Sequence, residues 1–144
     1  MRIGVGSDHR GLNIKEDLIH LLTEMGHEAR DNGTHDNNSV DYPDIAQAVC
    51  GEMIDGQIDY GILICGTGIG MSIAANKVEG IRAALCCNVF MAGRARLHNN
   101  ANILCIGIET ASEPLEIVRT FIATNYENGR HQKRLDKIIA LENC

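Results

Sequence analysis

Residues 65–70, which read CGTGIG, place one cysteine at the head of a loop that carries few side chains. Its glycines allow the backbone to turn tightly and to bring N–H groups close to a ligand, which creates a site for negative charge. At the end of a strand, beside these amides and the start of a helix, the thiolate of Cys65 would be stabilised. Such a thiolate can act as a nucleophile or as a general base.

The loop does not match the common phosphate-binding and cysteine motifs. A dinucleotide-binding fingerprint would have its third glycine at Met71, and the loop of a cysteine phosphatase would have an arginine there. The loop also lacks the Gly-Lys-Ser/Thr ending of a Walker motif. One alternative is that the glycines only permit a close turn from strand to helix. A base beside an anion site suits the removal of a proton from a carbon next to a carbonyl, with the amides stabilising the enolate.

Two further polar segments are candidates for ligand contacts. The stretch SDHRG supplies Asp8, His9 and Arg10 after the first predicted strand, and we expect two of the three to face the ligand. His98 and Asn99 end a predicted helix just before the fifth strand. The alternatives are that His9 is an ordinary loop histidine, that His98 only occupies a helix end where a cation is favourable, and that Asn99 is a helix cap.

Basic residues crowd the first turns of the last predicted helix, the end where positive charge is unfavourable; they are Arg130, His131, Lys133 and Arg134. Arg130 and Arg134 are four residues apart and therefore share one face. A bound phosphate would offset this charge, since the planar guanidinium matches its geometry. The alternative is a solvated basic face that is offset by the carboxylates of Glu127 and Asp136.

Size and composition narrow the classes of protein. The 144 residues predict one domain over residues 1–144, and the net charge of −6 argues against nucleic acid or an anionic membrane as a partner. No apolar run reaches the roughly 20 residues that span a bilayer. The N-terminus lacks the pattern of a signal peptide, so we expect an intracellular, cytoplasmic protein.

The six cysteines include no C-x-x-C pair and no His/Cys pair with ligand spacing. We therefore expect neither a disulfide framework nor a zinc site. Cys50, Cys86, Cys87 and Cys105 are expected to be small buried hydrophobic residues.

Apolar runs alternate with helical patterns along the chain. Strands are predicted at 2–7, 27–33, 59–65, 81–87 and 101–107, with helices at 12–26, from Pro43 to Met53, and at 71–77, 89–99, 112–126 and 130–143. This alternation predicts an α/β fold of three layers with a parallel sheet. Ligands of such sheets bind outside the carboxyl ends of the strands, where we expect SDHRG, CGTGIG and LHNN to meet.

Five segments together resemble the ribose-5-phosphate isomerase B family, which also includes galactose-6-phosphate and allose-6-phosphate isomerases. They are SDHRG, DYPDIA, GILICGTGIGMSIAANKVEGIRAAL, HNNANIL and NGRHQKRLDKI, and they occur in the family's order over nearly the whole chain. The resemblance implies a Rossmann-like α/β/α sandwich and a homodimer, or a dimer of dimers, with active sites between subunits. It also implies a sugar phosphate as ligand and no metal or organic cofactor.

The resemblance further implies aldose–ketose interconversion of D-ribose 5-phosphate and D-ribulose 5-phosphate through an enediolate. It implies Cys65 as the base that moves a proton between C2 and C1, and His98 as the group that opens the sugar ring with the help of Asp8. The developing oxyanion would be held by Gly66, Thr67, Gly68, Ile69 and Gly70. The other substrate contacts would be Asn99, Tyr42 and a phosphate clamp of His9, Arg130 and Arg134, with His131 nearby.

One position departs from the family pattern. Many members carry an arginine of the phosphate clamp where this chain has Glu109, and a carboxylate beside a phosphate dianion is unfavourable unless it turns away or pairs with an arginine. A six-carbon aldose 6-phosphate is therefore an alternative substrate. Two further hypotheses stay open, namely a module that binds a phosphorylated ligand without catalysis, and a subunit that is inactive without a different partner.

Overall fold

Strands and helices alternate from β1 to α5 in the computed structural model, which describes residues Met1–Cys144, and a further helix ends the chain. The strands are β1 (Arg2–Ser7), β2 (Glu28–Asp31), β3 (Tyr60–Cys65), β4 (Ala83–Leu85) and β5 (Ile103–Gly107). The helices are α1 (Leu12–Glu24), α2 (Tyr42–Ile54), α3 (Ile69–Ala75), α4 (Val89–Asn99), α5 (Pro114–Ala123) and α6 (Gln132–Leu141). All strand pairs are parallel, in the order β2-β1-β3-β5-β4, so the predicted α/β sandwich with a five-stranded parallel sheet is confirmed.

The two faces of the sheet are both covered by helices. Ile62 and Ile64 of β3 point into a core formed with α1, α4 and α5, whereas Leu63 and Cys65 point into a second core formed with α2 and α3. Burial on both faces explains why β3 is a continuous apolar run instead of an alternating one. Cys65 therefore ends the central strand of the sheet on the α2–α3 face.

Most predicted boundaries differ from the structure by a few residues, and three of the differences are at β4, α5 and α3. β4 is a short edge strand with partly exposed residues, not a seven-residue buried strand, because only β5 pairs with it. α5 begins at Pro114 and ends at Ala123, and Ser112 does not cap it, because its hydroxyl donates a hydrogen bond to the Cys87 carbonyl. α3 begins at Ile69, two residues earlier than the sequence pattern indicates.

The carboxyl ends of β1 and β3 form a switch point of the sheet, where the connecting helices change from one face of the sheet to the other. The α1 crossover covers one face of the sheet and the α2 crossover covers the other. A crevice opens between the two strands at such a switch point, and ligands of open α/β sheets bind there. The Asp8 backbone N–H donates to the Ile64 carbonyl (3.1 Å) and holds the loop after β1 against the end of β3.

A buried lysine fixes the polar loop that lies beside this crevice. Lys15 of α1 is almost fully buried, and its Nζ lies 2.5 Å from Asp31 Oδ1 and 2.6 Å from the Thr34 carbonyl oxygen. The Ser7 N–H donates to the Gly33 carbonyl (2.7 Å) in the same region. These polar contacts compensate the buried ammonium group and position residues 32–41 next to the end of β1.

The last helix is weakly packed on its own chain. Leu135 is buried, but Ile138 and Ile139 are 43% and 42% exposed, so only one of the three residues on the predicted apolar side is covered. A 3₁₀ turn over Gly129–His131 precedes α6, and α6 packs mainly on that turn. No helix of the structure combines the length and apolar composition required to cross a membrane.

Candidate active site

Cys65 lies beneath the glycine loop at the carboxyl end of β3. Its sulfur accepts a hydrogen bond from the Gly68 N–H at 3.1 Å, and the side chain is 6% exposed. A backbone N–H directed at sulfur is placed to stabilise negative charge that develops there during a reaction. The sulfur therefore combines a charge-stabilising donor with a position at the switch point of the sheet.

The other cysteines differ from Cys65 in their surroundings. Burial raises the pKa of Cys50 to about 11, and burial together with the neighbouring Cys87 raises the pKa of Cys86 to about 12. Burial also raises the pKa of Cys105 well above its ordinary value. These three thiols stay protonated and pack as small hydrophobic residues, as predicted, whereas Cys87 is only half-buried and the prediction of burial is wrong for it.

The glycine loop is pressed against the ends of β4 and β5. Gly68 has φ +78°, and a Cβ at this residue would lie 2.5 Å from Leu85 Cδ1 and 2.9 Å from the Ile106 carbonyl carbon. Only glycine fits this backbone and this space. The Thr67 carbonyl accepts from the Thr110 hydroxyl (3.2 Å), which fixes the loop from its outer side.

Asp8, His9 and Tyr42 lie at the same edge of the sheet as the glycine loop. Asp8 is 7% exposed, and its Oδ1 accepts the N–H groups of Arg10 (3.0 Å) and Gly11 (3.2 Å). The Val40 N–H donates to His9 Nδ1 at 3.5 Å. Tyr42 packs its ring on Gly70, where a Cβ would lie 2.6 Å from the ring Cζ.

We call this group the thiol half-site; it consists of Asp8, His9, Tyr42 and residues 65–70. All of its members lie at the carboxyl edge of the sheet, in the loops after β1 and β3 and at the start of α2.

His98 belongs to a second cluster. Its ring stacks on that of His131, with 4.2 Å between centroids and 15° between planes. Glu127 Oε2 lies 3.7 Å from His98 Nε2 and 3.3 Å from His131 Nε2, and the latter distance lacks hydrogen-bond geometry. The Glu127 N–H donates to the Leu97 carbonyl (3.0 Å), which ties the segment before α6 to the end of α4.

The surroundings of His98 favour the neutral imidazole. Desolvation, together with the positive charges of His131, Arg94 and Arg130, holds the pKa of His98 below its ordinary value, and Glu127 acts in the opposite direction. Arg94 Nη1 is 3.2 Å from His98 Nε2. A neutral imidazole can accept a proton from a sugar hydroxyl near neutral pH.

The same three side chains have the spacing of a metal site, which the sequence did not suggest. The donor atoms of His98, Glu127 and His131 lie within 4.8 Å of one another. The Arg94 guanidinium lies directly beside one of these donor atoms. Its positive charge opposes a metal ion at this place.

The arginine and lysine side chains of the C-terminal segment are exposed and form no ion pairs, whereas His131 is buried beside Glu127. Arg130, Lys133, Arg134 and Lys137 line one shallow groove. Asp136 accepts from Gln132 Nε2 (2.7 Å), and Glu127 contacts the two histidines. Neither carboxylate forms an ion pair with the four residues of the groove, whose excess of positive charge suits a phosphate and is equally compatible with a solvated basic face.

We call this second group the histidine half-site; its members are His98, Asn99, Glu127, Arg130, His131 and Arg134. Asn99 is exposed at the end of α4, and the residue that ends the helix with a left-handed backbone is Asn100, so Asn99 is not the cap. The sequence pattern does not indicate that Glu127 contacts both histidines.

The two half-sites lie at opposite edges of the sheet. α4 begins after β4 at the carboxyl edge and runs back to the amino edge, where β5 begins. The expectation that LHNN meets SDHRG and CGTGIG at the carboxyl edge is therefore wrong within one chain, since a segment that precedes a strand lies at its amino end. The six residues of β3 separate the half-sites by about 17 Å.

Sequence and structure comparisons agree on one family. The profile of the Ribose/Galactose Isomerase family matches residues 3–138. Ribose-5-phosphate isomerase B of Escherichia coli is 42% identical over 143 residues, which are 98% of this chain and 96% of that protein. A putative sugar phosphate isomerase of Bacillus subtilis is 45% identical over 141 residues, covering 96% of this chain and 95% of the relative.

Solved structures show the same similarity. Ribose-5-phosphate isomerase B of Clostridium thermocellum superposes with a TM-score of 0.96 at 48% identity, covering 99% of this chain and 98% of the other. The Mycoplasma genitalium enzyme of that name, with bound ribulose-5-phosphate, gives a TM-score of 0.93 at 42% identity, covering 99% and 96%.

Proposed function

Since the chain belongs to the ribose/galactose isomerase family, it is an aldose–ketose isomerase of sugar phosphates, and we propose that it interconverts D-ribose 5-phosphate and D-ribulose 5-phosphate. The observation that carries this proposal is the Gly68 N–H bond to the Cys65 sulfur at the switch point of the sheet. A thiolate in this position beside the loop amides suits proton removal next to a carbonyl better than it suits binding alone.

The reaction is a proton transfer that leaves the composition of the sugar unchanged. The Cys65 thiolate takes the proton from C2 of the open-chain aldose, so the C2–H bond breaks and an S–H bond forms. The electron pair moves into a C1–C2 double bond, and the aldehyde oxygen becomes the enediolate oxyanion that residues 66–70 hold. The thiol then returns its proton to C1, while the hydroxyl proton of O2 passes to O1 and C2 becomes the ketone.

Ring opening precedes this step. Neutral His98 accepts the proton of the anomeric hydroxyl, and Asp8 assists at the ring oxygen. Asn99 and Tyr42 contact the sugar, and His9, Arg130 and Arg134 hold the phosphate with His131 nearby.

These roles require residues from both half-sites, and one chain cannot supply them to one sugar. A pentose phosphate is shorter than the distance between the two edges of the sheet. A second copy of the chain therefore brings its histidine half-site to the thiol half-site of the first copy, and twofold symmetry produces two equal sites. The exposed Ile138 and Ile139 of α6, the helix that carries Arg134, support a homodimer or a dimer of dimers.

A cytoplasmic location and a role in pentose phosphate metabolism are parts of the same proposal. All six cysteines are free, including the exposed Cys144, which fits a reducing compartment.

An isomerase assay with the purified protein alone tests the function. We expect the highest kcat/KM with D-ribose 5-phosphate, lower values with D-allose 6-phosphate and D-galactose 6-phosphate, and no measurable turnover of unphosphorylated D-ribose. Preference for a six-carbon substrate would replace the proposed pentose, in line with the departure at Glu109. A lack of turnover with all three phosphates would favour a binding module or a subunit that needs a different partner.

The pH profile of kcat/KM tests the role of His98. Glu127 raises the pKa of His98 and Arg94 lowers it, so Glu127→Gln should move the acid limb to lower pH, whereas Arg94→Gln should move it to higher pH. The two variants act as mutual controls, because each removes one charge near the same imidazole. Unchanged acid limbs in both variants would exclude His98 as the group that must be neutral.

A further inference from the structure

An ion pair joins two loops at the carboxyl edge, outside the residues assigned above. Arg10 lies in the 3₁₀ turn after β1, and Glu109 follows β5. The Nη2 group of Arg10 contacts Glu109 Oε1, and both side chains are about half exposed, at 47% and 49%. The pair is therefore open to solvent on one side.

The Arg10 guanidinium lies directly on the glycine loop. A Cβ at Gly66, the residue that follows Cys65, would lie 2.7 Å from Arg10 Cζ. The Glu109 N–H donates to the Gly66 carbonyl (3.0 Å), so Glu109 is fixed to the same residue. Asp8 Oδ1 accepts the Arg10 backbone N–H at 3.0 Å, which fixes the other end of the arginine.

The Arg10 guanidinium has N–H donors that do not pair with Glu109. Glu109 is the only side chain that pairs with it, and a guanidinium carries five N–H donors. The Arg10 side chain is 47% exposed and lies against Gly66, so the donors that do not pair with Glu109 are available to a ligand on the glycine loop. An arginine that is held from one side by a carboxylate presents a fixed fork to an incoming anion.

We propose that Arg10 binds the phosphate of the sugar phosphate in the thiol half-site, and that Glu109 is a positioning residue that holds Arg10 over the glycine loop. The inference rests on the proposed function. In this proposal the Glu109 carboxylate pairs with Arg10 and does not face the phosphate. The arginine that contacts the phosphate here then belongs to the loop after β1 and not to the loop after β5.

The first test is Arg10→Ala in the full-length protein. Loss of a charge-assisted hydrogen bond should raise KM for D-ribose 5-phosphate about 10- to 100-fold. Because the phosphate is bound equally in ground state and transition state, kcat should change less than about threefold. The inhibition constant of inorganic phosphate should rise in the same proportion as KM.

The second test moves the guanidinium to the other loop. In Arg10→Ala combined with Glu109→Arg, the new arginine starts from the loop after β5 and can reach the same place, so KM should return to within about fivefold of the wild-type value. A pair that only joins two loops would not be restored, since this double variant has no ion pair. Glu109→Gln alone should give an intermediate KM.

The outcomes separate this inference from the proposed function. A folded Arg10→Ala protein with unchanged KM and unchanged phosphate inhibition would overturn the role of Arg10, and failure of the double variant to recover would overturn it too. Should the wild-type protein turn over no sugar phosphate, calorimetric titration of wild type and Arg10→Ala with inorganic phosphate still decides the matter. Arg10→Gln serves as a second variant if alanine impairs folding.

Discussion

Replacement of Cys65 by alanine is expected to lower kcat at least about 100-fold, the scale of a lost general base. KM should change little, because the phosphate and hydroxyl contacts come from other residues. The physical reason is that Cys65 is the thiol at the carboxyl end of β3 and accepts the Gly68 N–H, whereas no other cysteine sulfur accepts a backbone N–H.

Two other cysteines provide matched controls. Cys87→Ala and Cys144→Ala remove a half-buried and an exposed thiol from other places in the chain and should leave kcat unchanged. Because Cys65 also belongs to the core on the α2–α3 face, the melting temperature of Cys65→Ala and Cys65→Ser must be measured with the kinetics. A folded variant that keeps wild-type kcat would exclude Cys65 as the base.

Mixing two inactive variants is expected to restore activity. In a dimer with shared sites, one chain carries Cys65→Ala and has a damaged thiol half-site. The other chain carries His98→Ala and has a damaged histidine half-site. A dimer with one copy of each variant then contains one site with both lesions and one intact site. Random exchange makes half of the dimers mixed, so the mixture should regain about a quarter of wild-type activity.

The control for this experiment combines two lesions of the same half-site. Cys65→Ala mixed with Asp8→Asn should recover nothing, because every site in a mixed dimer carries one damaged thiol half-site. Exchange of subunits is verified by mass spectrometry of differently tagged chains. Verified exchange without recovery of activity would show that the two half-sites do not form a common site.

The fold could be predicted from the sequence where one physical signal dominates. The apolar run of β3 and the pattern of α4 gave bounds within a residue of the structure, because burial and helical periodicity are local. The prediction was wrong at β4, where the number of pairing partners decides the strand length. It was also wrong at Ser112, because its hydroxyl bonds to another loop and not to α5.

The site was predictable in its residue types and less so in its geometry. The glycine loop indicated a strand end with exposed amides, and that placement of Cys65 is what the structure has. The position of His98 required the direction of α4 to be followed, which puts the histidine half-site at the amino edge. The pair of Arg10 with Glu109 and the contact of Glu127 with His98 arise from tertiary packing of distant segments, for which the sequence has no local signal.

Solvent deuterium incorporation measures the proton transfer itself. With D-ribose 5-phosphate in deuterated water, wild-type protein should introduce deuterium at C1 of the product, seen by NMR, because the proton on sulfur can exchange before it returns to carbon. Folded Cys65→Ala should reduce this incorporation at least about 100-fold. Incorporation at the wild-type rate in that variant would contradict the account, since another group would then be removing the C2 proton.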